Sequence, residues 1–377
     1  MKLLAGMSLL TILALSLASF SPLFDQTAKA QSAASPNNIR PIGKPVEIKA
    51  PLGLPPVPIP ADNPPTEDTI ALGRRLYYDP LLSSDQTISC ASCHAPQFAF
   101  SDNRPVSEGV GKKLGTRHAP TVINSAYSSL QFWDGRAASL EEQAVGPMAN
   151  PVEMAHTLDG VVKRLQADPN YPAMFKKAWG TDQITIDMVA KSIASFERTV
   201  IAGNSGFDRF MYGHDSSAMS PEAQRGLRIF MSPKKGNCAV CHSIDRDYAL
   251  LTDNKFHNLG VGADARGNLA DVGRYAVTKK EEDMGAFKTP TLRNLTNRGP
   301  YMHDGSFHST KDTLGHYIGG GNYNPHLDKE IHSLDSLTMD ERDDLLQFLD
   351  ALNGPLPPNI GPPPDLAIPA KTVSAGK

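Results

Sequence analysis

Two five-residue segments, CASCH at residues 90–94 and CAVCH at residues 238–242, hold all four cysteines of the chain. In each segment two cysteines stand three positions apart, and a histidine directly follows the second one. This is the attachment pattern of c-type haem, in which both thiols bond to the vinyl groups of one porphyrin and the histidine ligates the iron. We therefore predict two covalently bound haem c groups. The residues that hold them are Cys90, Cys93, His94, Cys238, Cys241 and His242.

Two other kinds of site also use Cys-x-x-Cys pairs. A zinc site with thiolate ligands, or with mixed thiolate and imidazole ligands, does not need a histidine directly after both pairs. A redox-active dithiol occurs in a βαβ setting, and the sequence contains no convincing series of strands. The repeated Cys-x-x-Cys-His pattern therefore favours haem over both alternatives.

The charge balance excludes one broad class of function. The 377 residues include 37 Lys and Arg against 40 Asp and Glu, a formal net charge of −3. A protein that binds nucleic acid by neutralising phosphates would be basic, so we expect no nucleic-acid partner. The 40% of hydrophobic residues can fill a core, and the length favours two domains.

The N-terminus predicts export. Residues 1–30 have the pattern of a signal peptide, because an uncharged run at 3–20 precedes a small-x-small cleavage site at 28–30. A membrane anchor is the alternative, because the uncharged run is about 18 residues long. Cleavage is favoured, because Pro22 and Asp25 interrupt the run and a cleavage site follows. No later apolar stretch could cross a bilayer, so we expect no membrane span after cleavage. We predict a periplasmic protein.

Proline divides the remaining chain. Ten prolines lie between residues 36 and 65, which predicts an extended Pro-rich segment over 31–65 rather than a helix or a central strand. The tail at 355–377 has the same character. Between these segments we predict an all-α fold of two cytochrome c-like haem domains with long irregular loops, at 66–205 and 206–354.

Helical patterns and an internal repeat support this organisation. GRRLYYDP at 73–80 matches GLRIFMSP at 226–233, with a glycine, an aliphatic residue, an aromatic residue and a proline at the same offsets. Each copy leads into one Cys-x-x-Cys-His segment, which indicates two related modules. Hydrophobic periodicity and N-cap residues predict helices at 67–78, 158–165, 184–199, 221–231 and 339–352.

Several longer motifs resemble those of the bacterial dihaem cytochrome c peroxidases and the related MauG-type enzymes. They are LGRRLYYDP at 72–80, FWDGR at 132–136, LEEQ at 140–143, FKTPTLR at 287–293 and PYMHDG at 300–305. The resemblance implies that the haem of the first segment reacts with peroxide. The haem of the second segment would transfer electrons.

The same resemblance implies roles for four further side chains. Gln143 and Glu153 match residues that line the distal face of the first haem, where peroxide reduction needs a proton carrier and a hydrogen-bond donor. Trp133 matches a tryptophan that lies between the two haems and can relay electrons. His303 would contact a haem edge or propionate. We expect the other histidines, His257 among them, to be surface or loop residues.

Two positions depart from typical peroxidases of this family. Tyr317 matches the sixth ligand of the second haem, where those peroxidases have methionine and MauG-type members have tyrosine; Met302 and His316 are rival ligands nearby. Val110 matches a loop histidine that caps the first haem iron in many resting peroxidases. We therefore predict that the first haem is open without reductive activation.

The resemblance also implies a calcium ion between the domains. The matching residues are His118, Arg298 and Pro300. His118 stands where asparagine is usual, and imidazole is a poor calcium ligand, so only backbone carbonyls would serve.

We interpret the chain as a periplasmic dihaem c-type peroxidase that reduces hydrogen peroxide to water. Its electrons would come from a small c-type cytochrome or a blue-copper protein. Two haems suit this reaction, because peroxide takes two electrons and such donors supply one each. Relatives of this kind are often dimers, so a homodimer is expected. The alternatives are a MauG-type oxidase acting on a protein or organic substrate, and a dihaem electron carrier without catalytic activity.

Overall fold

The computed structural model describes residues 39–366, in which ten α-helices are joined by long loops. The predicted signal peptide at 1–30 and the end of the tail at 367–377 lie outside the described residues. The mostly helical architecture confirms the all-α prediction. The helices are α1 Glu67–Tyr78, α2 Leu140–Ala149, α3 Leu158–Ala167, α4 Tyr171–Trp179, α5 Ile186–Glu197, α6 Gly206–Met211, α7 Pro221–Met231, α8 Tyr275–Thr278, α9 Thr310–Ile318 and α10 Met339–Asp350.

The internal repeat has a packing role. A Cβ added at Gly73 of α1 would lie 1.8 Å from the backbone carbonyl oxygen of Ser192 in α5. In the second copy, a Cβ at Gly226 of α7 would lie 2.0 Å from the carbonyl oxygen of Asp344 in α10. The repeated glycine therefore permits the same close approach of two helices in each half of the chain, and any larger residue would force them apart.

The buried side chains form two main hydrophobic clusters. The first includes residues from Leu72 to Ala202 together with Ile360. The second runs from Phe207 to Leu352 and contains the aromatic pair Phe230 and Phe348, whose ring centroids are 4.9 Å apart. In sequence, the first cluster ends at Ala202, apart from Ile360, and the second begins at Phe207. This change lies close to the predicted domain boundary.

Loops from the two halves contact each other between these clusters. Strands β1 Phe256–His257 and β2 Phe287–Lys288 pair antiparallel in the second half. The backbone N–H of Lys288 donates to the carbonyl oxygen of Trp133 in the first half, at 2.8 Å. A second such bond, of 2.7 Å, joins the N–H of His118 to the carbonyl oxygen of His303. These bonds hold residues of the predicted site together.

Both proline-rich segments pack on the helices where the structure describes them. Asn63 is fully buried, and its amide donates to Glu141 in α2 at 2.7 Å. From the tail, the carbonyl oxygen of Ile360 accepts a 2.7 Å hydrogen bond from the Tyr78 hydroxyl. None of the helices between residues 39 and 366 has the length and apolar character that crossing a bilayer requires.

Candidate functional site

The two Cys-x-x-Cys-His segments line two different cavities. Cys90, Cys93 and His94 line a cavity of about 120 Å³ beside α2 and α5. Cys238, Cys241 and His242 line a larger cavity of about 270 Å³, whose wall also contains residues of the first half. None of the four cysteines forms a disulfide bond. Because the pairs lie in separate cavities, the four thiols do not bind one zinc ion together, which agrees with the preference for haem.

Each segment folds in the same way. Cys90–Ser92 and Cys238–Val240 are short 3-10 turns. In each, the N–H of the histidine donates to the carbonyl oxygen of the first cysteine, at 2.9 Å for both His94 and His242. This turn brings both thiols and the imidazole to one side of the backbone, as attachment to a single porphyrin requires.

The histidines and thiols fit a haem. Nδ1 of His242 donates to the carbonyl oxygen of Leu251 at 2.9 Å, which leaves Nε2 with a free lone pair for iron. Nδ1 of His94 is buried without a hydrogen-bond partner in the described chain. Burial raises the pKa of Cys93 to about 11 and that of Cys238 to about 12. A reactive dithiol needs a lowered pKa instead.

Gln143 and Glu153 lie in the wall of the first cavity, with the first cysteine pair and His94. Gln143 projects from the first turns of α2, which Ser139 caps by accepting a 3.1 Å bond from the N–H of Glu142. Glu153 follows the C-terminus of α2, and burial raises the pKa of its carboxyl group. The Arg136 charge and a bond from Asn150 oppose that shift. A carboxyl group with a raised pKa is suited to accept and return a proton.

Val110 is hydrogen-bonded to the backbone of Glu153. Its N–H donates to the carbonyl oxygen of Glu153 at 2.8 Å, and its side chain packs against the first hydrophobic cluster. A Cβ on the neighbouring Gly109 would lie 2.2 Å from the carbonyl oxygen of Val152. The loop that carries a histidine in many peroxidases is therefore tightly packed here and presents an apolar side chain.

Glu197 is a further carboxyl group in the first cavity, and the sequence did not single it out. It ends α5, is 5% exposed, and its Oε2 has no hydrogen-bond partner within residues 39–366. Burial raises the pKa of Glu197 to about 8. No sequence signal marks it, because the buried face of α5 continues through this position and a glutamate there resembles any helical acid.

The second cavity contains two of the three proposed sixth ligands. Tyr317 in α9 and Met302 both line it, and burial raises the pKa of Tyr317 well above its ordinary value. Nε2 of His316 instead donates to the carbonyl oxygen of Leu259 at 2.9 Å. Since that bond occupies the nitrogen that would ligate iron, the geometry favours Tyr317 or Met302 over His316.

Trp133 and His303 lie where the two halves meet. The indole N–H of Trp133 donates to the carbonyl oxygen of His118 at 2.8 Å, and the ring lines the second cavity. The preceding residue, Phe132, lines both cavities. His303 stacks on Phe287 with centroids 3.6 Å apart, and burial lowers its pKa to about 4. It is therefore a neutral imidazole in the wall of the second cavity.

The residues matched to calcium ligands also line the second cavity. His118 is buried, and both of its ring nitrogens have protein partners: the carbonyl oxygen of Arg104 and the Ser101 hydroxyl, each at 3.0 Å. The His118 imidazole therefore offers no free donor to a cation. Arg298 and Pro300 lie in the same wall, and the Arg298 residue is 7% exposed.

His257 differs from the surface or loop residue expected. Its Nδ1 contacts a carboxylate oxygen of Asp328 at 2.5 Å, and its Nε2 contacts one of Asp253 at 3.0 Å. The Asp253 bond is the main cause that raises the pKa of His257 to about 11. The ring lies beside the Cys241 thiol, so a paired imidazolium borders the second cavity. Asp328 is 71 residues away in sequence, which hides the arrangement from sequence patterns.

Known proteins match this chain over most of its length. The profile of a family described as "Di-haem cytochrome c peroxidase" matches residues 67–216. A protein named "Methylamine utilization protein MauG" from Methylorubrum extorquens is 41% identical over 297 residues, covering 78% of this chain and 81% of that one. A protein named "Cytochrome c551 peroxidase" from Nitrosomonas europaea is 36% identical over 304 residues, covering 80% and 89%.

A solved structure is also similar. The crystal structure of a MauG-like protein associated with microbial copper homeostasis superposes with a TM-score of 0.73 at 30% identity, covering 81% of this chain and 94% of that one.

Proposed function

The chain belongs to the di-haem cytochrome c peroxidase family, whose members are oxidoreductases, and we propose that it is a periplasmic peroxidase that reduces hydrogen peroxide to water in the first cavity. The observation that carries this proposal is the position of Gln143 and Glu153 in the wall that also contains Cys90, Cys93 and His94. An electron carrier has no need of an acid and an amide at that place.

The side chains of the first cavity supply the proton chemistry. Reduction of one peroxide takes two electrons and two protons and releases two waters. A bound haem would supply a redox-active iron that takes up electrons one at a time. The Glu153 carboxylate takes the proton from the near oxygen and delivers it to the departing one. The Gln143 amide N–H orients peroxide and stabilises the developing negative charge.

Electrons enter at the second cavity in this proposal. Cys238, Cys241, His242 and Tyr317, which line this cavity, would hold the second haem. Phe132, which lines both cavities, and the adjacent Trp133, which lines the second one, are suited to relay electrons. The donor is a small c-type cytochrome or a blue-copper protein. Export through the segment at 1–30 would bring the enzyme to that donor in the periplasm, and assembly as a homodimer is part of the same expectation.

The test is peroxide-dependent oxidation of a reduced donor by the purified dihaem protein. We expect two equivalents of a reduced small c-type cytochrome or blue-copper protein to be oxidised for each peroxide consumed. If neither kind of donor is oxidised in a peroxide-dependent manner, while peroxide still alters the spectrum, the peroxidase proposal is wrong.

A MauG-type oxidase is the second candidate. The 41% identity to a protein named MauG and the position of Tyr317 in the second cavity both favour it. Such an enzyme would consume peroxide in the absence of a cytochrome and leave an oxidised protein or organic substrate. Oxidation of a substrate side chain or molecule, found by mass spectrometry under these conditions, would favour this candidate.

A further inference from the structure

Two cations in the wall of the second cavity have no carboxylate partner among the described residues. Lys288 of β2 and Arg298 both line this cavity and not the first one. Within residues 39–366, no carboxylate oxygen lies within 4.0 Å of either side-chain charge. Nζ of Lys288 donates to the Ser128 hydroxyl at 3.0 Å, and the Arg298 guanidinium donates to the carbonyl oxygen of Thr291.

Other buried or half-buried cations nearby are paired. The fully buried Arg293 bonds to both carboxylate oxygens of Asp208, at 2.7 and 2.9 Å. Arg117 contacts Asp134 at 2.6 Å and Asp271 at 2.7 Å. His257, as described above, lies between two aspartates. The missing partners of Lys288 and Arg298 are therefore an exception to a pattern that the rest of this region follows.

In the polypeptide without a ligand, burying these two positive charges without counter-ions is energetically unfavourable. Burial lowers the pKa of Lys288 to about 8, because a buried charge without a counter-ion loses its hydration. Glu330 is the only acidic residue in the described wall of this cavity, and its carboxylate accepts a bond from Asn237 instead. A negative group from outside the polypeptide would remove the penalty.

We propose that Lys288 and Arg298 are the counter-ions of the two propionates of the second haem. This porphyrin is attached through its vinyl groups to Cys238 and Cys241, in the same cavity, and it carries two carboxylates on its opposite edge. Two carboxylates match two unpaired cations in number and charge, and an ammonium and a guanidinium are both strong partners for a carboxylate. The proposal rests on the dihaem assignment made above, but not on peroxide turnover.

The test uses the purified dihaem protein and the variants Lys288→Gln, Lys288→Arg and Arg298→Gln. Lys311→Gln, at an exposed lysine of α9, is the matched control. The readouts are the reduction potential of each haem by spectroelectrochemistry and the propionate bending bands in the resonance Raman spectrum. Neither readout depends on peroxidase activity.

We expect both Gln variants to lower the potential of the second haem and to shift its propionate bands. Removing a nearby positive charge favours ferric over ferrous iron. Lys288→Arg should keep both values near those of the unmodified protein, and Lys311→Gln should change neither. If Arg298→Gln fails to fold, the two Lys288 variants decide alone. An unchanged second haem in Lys288→Gln would overturn the proposal, and so would a shift confined to the first haem.

Discussion

The Asn150 side-chain amide donates a 2.7 Å hydrogen bond to Oε1 of Glu153, three residues later in the turn that follows α2. The bond fixes the carboxyl group in the wall of the first cavity and leaves its other oxygen available. Burial nevertheless dominates the electrostatics and raises the pKa of Glu153. This combination of fixed position and adjusted acidity is what a proton carrier needs.

Replacing this carboxyl group should stop most of the catalysis. We expect Glu153→Gln to lower the peroxidase turnover number by about 100- to 10,000-fold, the usual contribution of a general acid-base group. Both haems should stay attached, because no attachment residue changes. Glu67→Gln, at an exposed acid in the first turn of α1, is the control. Steady-state rates at saturating peroxide make the comparison, and equal rates in the two variants would refute the proton-carrier role.

Val110 should leave the first haem accessible in the resting enzyme. Since this valine packs against the first cluster and its N–H bonds to Glu153, no loop histidine caps the iron. We expect the absorption and EPR spectra of the fully oxidised protein to show one high-spin and one low-spin haem. Two low-spin haems would show that another side chain fills the position.

Tyr317 should set the potential of the second haem. A phenolate ligand stabilises ferric iron more than a thioether does, so Tyr317→Met should raise the potential. Axial ligands span roughly 0.8 V, and a shift on the order of 0.1 V is expected. Met302→Leu serves as the comparison and should leave the reduction potential of the second haem unchanged. The reverse outcome, in which only the Met302 variant shifts the potential, would assign ligation to Met302.

Glu197 should make stability fall as the pH rises. Its pKa in the folded protein is about 8, raised from an ordinary value of 4.5. The folded state therefore holds a proton that the unfolded chain releases, and this contribution is full below pH 4.5 and is lost as pH rises toward 8. Glu197→Gln should remove that loss.

Thermal unfolding of the dihaem protein from pH 4.5 to 9 checks this prediction. The Tm of Glu197→Gln should match the unmodified protein at the acidic end and exceed it at pH 8, whereas Glu67→Gln should run parallel to the unmodified protein throughout. A constant difference between the Glu197 variant and the unmodified protein would mean that the carboxyl group does not titrate as described.

Local sequence signals predicted some helices well. The bounds of α1 and α7 agree with the prediction at both ends, because Thr66 and Ser220 cap their N-termini with side-chain oxygens. The sequence did not predict α2, α4 or α9. Gly146 and Pro147 interrupt the pattern of α2, Pro172 lies in the first turn of α4, and Gly315 lies within α9. Tertiary packing stabilises these helices against their weak local propensity.

The sequence predicts the site residues that belong to a motif. It does not predict those whose role depends on contacts between residues far apart in the chain. Cys90 and Cys238 can be recognised from the Cys-x-x-Cys-His spacing alone. The unpaired state of Lys288, the burial of Glu197 and the two aspartates around His257 depend on residues far away in sequence. Burial and pairing arise only when the two halves pack, so no local pattern could reveal them.

Titration of the oxidised dihaem protein with hydrogen peroxide tests the central claim most directly. We predict that about one equivalent of peroxide alters the absorption of one haem, that the second haem keeps its low-spin bands, and that Glu153→Gln slows the change in a stopped-flow measurement. A ferric spectrum that peroxide leaves unchanged would contradict the account, because neither iron would then be open to the oxidant.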